Sequence, residues 1–190
     1  MEKKKYNLGH KIYSVNQVKK IEKEVALLGV NNKLDPISLL NIRLISSISI
    51  FFVLLYFVDF GYLMAPVVTF LFYISFFKVV IGSKIKKREK LLEKDAMYFF
   101  EILTLSLESG RNIKTAIEAT CNNVDSELSD EFKRVLKDVS FGNNLNEALN
   151  ELKQRIPSDA VNNIILNIRE ANIFGNNIIE TMYSQIDYIR

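Results

Sequence analysis

The chain has no tryptophan, one histidine and one cysteine among its 190 residues, and each shortage removes a class of function. A single thiol, Cys121, cannot close an intrachain disulfide, and with His10 distant in sequence it cannot supply a first-row metal set of the usual His/Cys kind. No metal or other cofactor is therefore expected. The simplest reading of Cys121 is a small buried hydrophobe on a helix, in a reducing compartment. The sequence also lacks a Gly-x-x-x-x-Gly-Lys phosphate loop, a pair of histidines and a Ser-Gly nucleophile elbow. An enzyme is not expected. Glu101 and Glu108 are the carboxylates worth following, and their simplest role is surface charge that faces a partner or water.

Charge is scarce in one place only. Residues 44–81 carry just Asp59 and Lys78, whereas the flanks are densely charged. Residues 1–43 hold nine Lys/Arg against four Asp/Glu, residues 84–95 hold six against three, and residues 96–190 invert the balance with nine against fourteen. Basic charge thus borders the apolar stretch, where anionic headgroups attract it, and the distal part is acidic. A nucleic-acid binder would put its excess Lys/Arg on the folded domain, so no nucleic-acid partner is expected.

The apolar stretch reads as two helices. Asp35-Pro36 is a good start, because Asp can cap free amides and Pro is favoured at the first helical position. A helix from about Ile37 to Val58 follows, with eleven Leu, Ile, Phe or Val residues between Leu44 and Val58. On the insertion scale they sum to about −3 to −7 kcal/mol. Asp59-Phe60-Gly61-Tyr62 reads as a turn, with Gly61 supplying the left-handed backbone. Leu63–Ile81 then brings twelve more Leu, Ile, Phe or Val residues, with Pro66 near its start and Lys78 near its end. Each run approaches the roughly 20 residues that cross about 30 Å of hydrocarbon. Lysines flank both sides of the pair, so the positive-inside bias puts both termini in the cytoplasm of a multi-pass membrane protein. Ahead of the pair, Val15, Val18, Ile21, Val25 and Leu28 recur at helical spacing and Gly29 is a natural stop. That helix fits the cytoplasmic membrane face, a partner surface, or packing on the main domain.

Beyond the second run the sequence repeats. Gly110-Arg111-Asn112-Ile113 aligns with Gly142-Asn143-Asn144-Leu145 and with Gly175-Asn176-Asn177-Ile178, at glycine spacings of 32 and 33 residues. Each unit is a helix stop followed at once by a helix start, with Gly as left-handed cap and Asn as the next N-cap. Asn144 with Glu147, and Asn177 with Glu180, have capping-box spacing. Apolar stripes at 128–139 and 161–168 mark further helices, and about six antiparallel helices are expected between residues 90 and 190. Acid-base spacings such as Asp130/Arg134 and Glu151/Arg155 read as solvated-face pairs. The expected class is all-α, with a basic N-terminal segment at 1–36, a transmembrane hairpin at 37–83 and a cytoplasmic helical domain at 84–190. The basic collar Lys84, Lys86, Lys87 and Arg88, with Glu101 and Glu108 further along the same helix, is the expected lipid or partner interface. A membrane-tethered helical-repeat adaptor is the alternative, because a period near 33 approaches that of tetratricopeptide arrays.

A Lys-rich exit from a membrane helix, then Ala96–Ser109 and repeated Gly-x-Asn-(Ile/Leu) corners, resembles the type II secretion system F family, and most of all its tight-adherence pilus platform branch. The resemblance covers roughly residues 40–190. It implies an inner-membrane platform protein without enzymatic activity. Its implied partners are a hexameric assembly ATPase, pilin subunits, and a paralogous platform subunit or a second copy of itself. Members usually carry further membrane helices after this domain, so the sequence is expected to be a fragment or a reduced form.

Overall fold

A computed structural model describes residues 13–29, 34–57, 61–174 and 179–189. Nine helices run through them: α1 Val15–Ala26, α2 Pro36–Phe57, α3 Gly61–Val80, α4 Gly82–Glu108, α5 Ile113–Asn123, α6 Glu127–Ser140, α7 Leu145–Arg155, α8 Asp159–Phe174 and α9 Ile179–Ile189. No strand occurs among the described residues, and the chain is all-α, with two candidate membrane-spanning helices followed by a helical bundle. It divides into two compact units. Met1–Val25 with Asn31–Lys84 forms one, and Ala26–Val30 with Ile85–Arg190 the other.

In the first unit α2 begins where the sequence says it should. The Asp35 carboxylate accepts from the Ser38 amide at 3.2 Å and from the Ser38 hydroxyl at 2.9 Å, and Pro36 opens the helix. At 1.5 Å per residue, the 22 residues of α2 and 20 of α3 measure roughly 33 and 30 Å. The two helices pack on each other. Their outer faces are apolar and uncovered: Phe52, Phe57 and Phe70 are all more than 60% exposed. Burying one such side chain is worth roughly 1.5–3 kcal/mol, so a row of them calls for a non-aqueous surrounding. One detail departs from expectation. Gly61 and Tyr62 are already helical rather than part of a turn, because α3 starts at Gly61; the remainder of the expected turn, at residues 58–60, lies outside the described residues. On α1, Val18 and Ile21 are buried within the protein.

The second unit contains the six expected helices, α4 to α9, and consecutive helices from α5 onward pack on one another through connections of three or four residues as far as α8. Their core is built from apolar stripes at helical spacing. Phe99 and Phe100 of α4 meet Phe132 of α6, with ring centroids 4.7 and 6.2 Å away in stacked and edge-on arrangements. The repeat is visible in packing. Ala116-Ile117 and Ala148-Leu149, four and five residues after their corner asparagines, are all buried, whereas in the third copy Met182 is buried and Thr181 exposed.

The corners explain the short connections. Gly110 and Gly142 have φ of 83° and 101°, the left-handed region that costs other residues about 1–2 kcal/mol. At Gly142 its amide reaches the Val139 carbonyl at 3.0 Å and the Asn143 amide reaches Asp138 at 3.2 Å, closing a Schellman motif. Asn112 then caps α5 through the Thr115 amide at 2.9 Å, and Asn144 caps α7 through the Asn146 amide at 2.8 Å. The third corner, Gly175 and Asn177, lies outside the described residues.

Candidate partner face and the charged cluster behind it

Helix α4 supplies most of the residues expected to meet a partner or lipid, and packing sorts them into two groups. Lys84, Lys86, Lys87 and Glu108 are exposed, and Glu101 is half-buried. Arg88 departs from its expected place in the collar: it is turned inward and 6% exposed. The reason is helical phase. Arg88, Leu92, Ala96, Phe99 and Leu103 share one face, and all five are buried.

Arg88 is held there by nearly its full set of donors. Its Nε donates to Glu127, Nη2 donates to Glu131 at 2.8 Å, and Nη1 donates to the carbonyls of Leu27 at 2.9 Å and Arg155 at 2.6 Å. Glu131 is itself buried, and its second oxygen accepts from Arg155 Nε at 3.1 Å. Two arginines therefore balance two carboxylates inside the unit, joining α4, α6, α7 and the stretch after α1. Arg155 keeps one buried Nη2 without a partner, and its link to Glu151 is a long 4.0 Å. The expected Glu151/Arg155 pair is thus secondary to Glu131, and Asp130 pairs with Lys133 rather than Arg134. Gly29, with φ of 93°, lies flat against this cluster, and a Cβ there would come within 2.7 Å of Arg88 Nε.

Other polar groups fasten the same end of the bundle. The buried Ser158 hydroxyl donates to Glu93 Oε1 at 2.8 Å and accepts from the Val161 amide at 3.3 Å, so one residue caps α8 and ties it to α4. Asp95 of α4 meets the first residue of α6: burial pushes its carboxyl up, and a hydrogen bond from the Glu127 amide opposes the shift. Cys121 is a buried residue whose Sγ lies 3.7 Å from the Ser129 carbonyl, and burial pushes its thiol up, away from the reactive thiolate.

The outward side of α4 carries what the sequence reading missed. Leu91, Tyr98 and Leu105 are 45, 57 and 54% exposed at seven-residue spacing. Lys87 and Lys94 lie along the same side toward the start of the helix, and Glu101 and Glu108 toward its end. Glu108 accepts a hydrogen bond from the Tyr183 hydroxyl of α9 at 3.1 Å, extending this side onto a second helix. The result is an apolar stripe with opposite charge at its two ends, a surface suited to another amphipathic helix. The described residues hold no group of three His, Cys, Asp or Glu side chains arranged for a metal ion.

No curated protein and no solved structure matches the chain. Residues 99–190, behind the two apolar helices, match the family model described as Type II secretion system (T2SS), protein F, and the match supports assigning this part of the chain to that family.

Proposed function

We propose that the chain is an inner-membrane platform protein of a type II secretion or type IV pilus assembly system, of the tight-adherence kind. In this reading the hairpin α2–α3 spans the membrane, both termini are cytoplasmic, and the helical domain at 84–190 receives the stroke of a hexameric assembly ATPase. The movement is passed to the membrane part, so that pilin subunits are drawn from the bilayer into a growing filament. A second copy or a paralogous platform subunit completes the assembly. The function needs no bound cofactor and no bond-making step, only a firm link between partner surface and membrane anchor.

The observation that carries the reading is the family match at residues 99–190 following two helices long and apolar enough to cross a membrane. The outward stripe of α4 supports a protein partner, since three large apolar side chains left uncovered at heptad spacing form a usable docking strip. The test is a pair of substitutions, Tyr98→Asp and Leu105→Asp, in the full chain. Both sites are more than half exposed, so stability should change by no more than about 0.5 kcal/mol. Co-purification with the assembly ATPase and filament formation should both be lost. Retained co-purification and normal filaments would refute this face as the coupling surface. Charge reversal at Lys84, Lys86 and Lys87 separates a lipid role from a partner role: loss of assembly with normal insertion assigns the collar to the partner. Arg88 is left out of that test because its removal would open the buried cluster.

A further inference from the structure

We propose that Arg43 binds the phosphate of an anionic phospholipid on the side of the hairpin where α2 begins and α3 ends. The inference rests on the hairpin lying in a bilayer. Its starting point is a charge in an awkward place. After Arg43 the sequence runs through fifteen uncharged residues, Leu44 to Val58. At 1.5 Å per residue that is about 22 Å, less than the roughly 30 Å of a hydrocarbon core. Centring the uncharged run in the bilayer draws Arg43 to the inner edge of the headgroup layer, where a cation without a counter-charge is costly.

The protein supplies no such counter-charge. Among the described residues, no carboxylate lies within ion-pair distance of Arg43. What it supplies instead is a seat. Nη2 donates to the Tyr73 hydroxyl at 2.7 Å, and the guanidinium carbon stands 3.9 Å from the Tyr73 ring centroid and 4.6 Å from that of Phe77. Nε is buried without a partner. Arg43 is seven residues into α2 and Tyr73 seven residues before the end of α3, so the pair marks one level of the antiparallel hairpin. Lys78 is exposed, adjacent in sequence to Phe77, and adds a second cation toward the same end.

The aromatic faces fix the plane of the guanidinium without neutralising it. With Nε buried, one hydrogen bond to a hydroxyl leaves three of the four Nη donors unspent, and the Arg43–Tyr73 pair is open to the outside of the hairpin. A planar, always-charged fork held at headgroup depth matches a phosphate, which can accept two parallel bonds and supplies the missing negative charge. A lipid with net negative charge fits better than a zwitterionic one, because the choline of the latter would bring a competing cation.

The test uses the full chain and named lipids. The protein, purified with an equimolar mixture of phosphatidylglycerol and phosphatidylcholine, is examined by native mass spectrometry. Phosphatidylglycerol should be retained preferentially, Arg43→Gln should reduce that retention about fivefold, and Arg43→Lys should restore part of it. Equal retention of the two lipids, or unchanged retention in Arg43→Gln, overturns the proposal. So does displacement of the lipid by millimolar inorganic phosphate, which would make the site one for the free anion. Resistance to alkaline carbonate extraction is measured alongside: a protein that extracts removes the membrane reading itself, whereas an inserted but lipid-indifferent protein removes only this site. Should Arg43→Gln fail to insert, the wild-type chain decides. A headgroup-photoreactive phosphatidylglycerol should label the segments around Arg43 and Tyr73, and labelling confined to other segments overturns the assignment.

Discussion

Glu131 is the side chain on which the charged cluster turns. Both its oxygens are engaged by arginines, at 2.8 Å from Arg88 and 3.1 Å from Arg155, while the residue itself is fully buried. A buried ion pair contributes little net stability as a whole, because desolvation offsets most of the attraction, yet removing one partner leaves an uncompensated charge in the interior. Glu131→Ala is therefore expected to cost about 3–5 kcal/mol, comparable to the loss of a core phenylalanine. Glu127→Ala should cost clearly less, since that carboxylate is 28% exposed and water can replace it around Arg88. Chemical denaturation of the two variants checks the order, and equal losses would show that Glu131 is not the centre of the cluster. The purpose of such a cluster is connection. Arg88 reaches the Leu27 carbonyl, 61 positions earlier in the chain, and fastens the stretch after α1 to the helical unit.

At the scale of elements, the corner glycines set where helices stop. Around Gly110 and Gly142 nothing would meet an added Cβ within 4 Å, so their requirement comes from backbone conformation alone. Gly142→Ala should then lower stability by about 1–2 kcal/mol, and Gly142→Asn by less, because Asn visits the left-handed region more readily. Thermal unfolding of the two variants measures this, and indifference to both would mean that the Schellman turn is not needed to end α6. These corners were legible in the sequence because cap and turn chemistry is local: Gly110 with Asn112 and Gly142 with Asn144 each fall within three residues. The helices between them were legible from period, with Leu128, Phe132 and Val135 all buried on α6 as their spacing requires. The cluster was not, since its hydrogen-bonded partners lie 24 to 67 positions apart and only packing brings them together. A trace of it was present: Arg88, Glu131 and Arg155 each occupy a position in phase with the apolar stripe of their own helix, an unusual place for a charge unless it is paired. The outward apolar stripe of α4 escaped for another reason. A helix that is apolar nearly all round does not say which of its sides the fold covers, and Leu91, Tyr98 and Leu105 became distinct only once Phe99, Phe100 and Leu103 were seen buried.

For the whole molecule, the distribution of charge decides how it can be oriented. Lysines crowd residues 1–43 and 84–95, while Asp59 alone marks the link between the two apolar runs. Moving either Lys-rich flank across a bilayer is disfavoured, and the short acidic link is the segment that crosses most easily. Tags at the two ends should therefore report the same, cytoplasmic compartment, and a reporter inserted at Asp59 the opposite one. The control is to reverse the bias: replacing Lys84, Lys86 and Lys87 by Glu while adding lysines beside Asp59 should produce a mixture of orientations, in proportion to the charge moved. Opposite compartments for the two ends of the wild-type chain would leave only one apolar run spanning. The acidic helical domain would then be separated from the basic N-terminal segment by the bilayer, and a cytoplasmic ATPase could not act on the one while the other stayed beside it. The proposed platform mechanism requires the two ends together, because under that proposal the domain that would receive the stroke and both roots of the hairpin that would transmit it must be reached from one side.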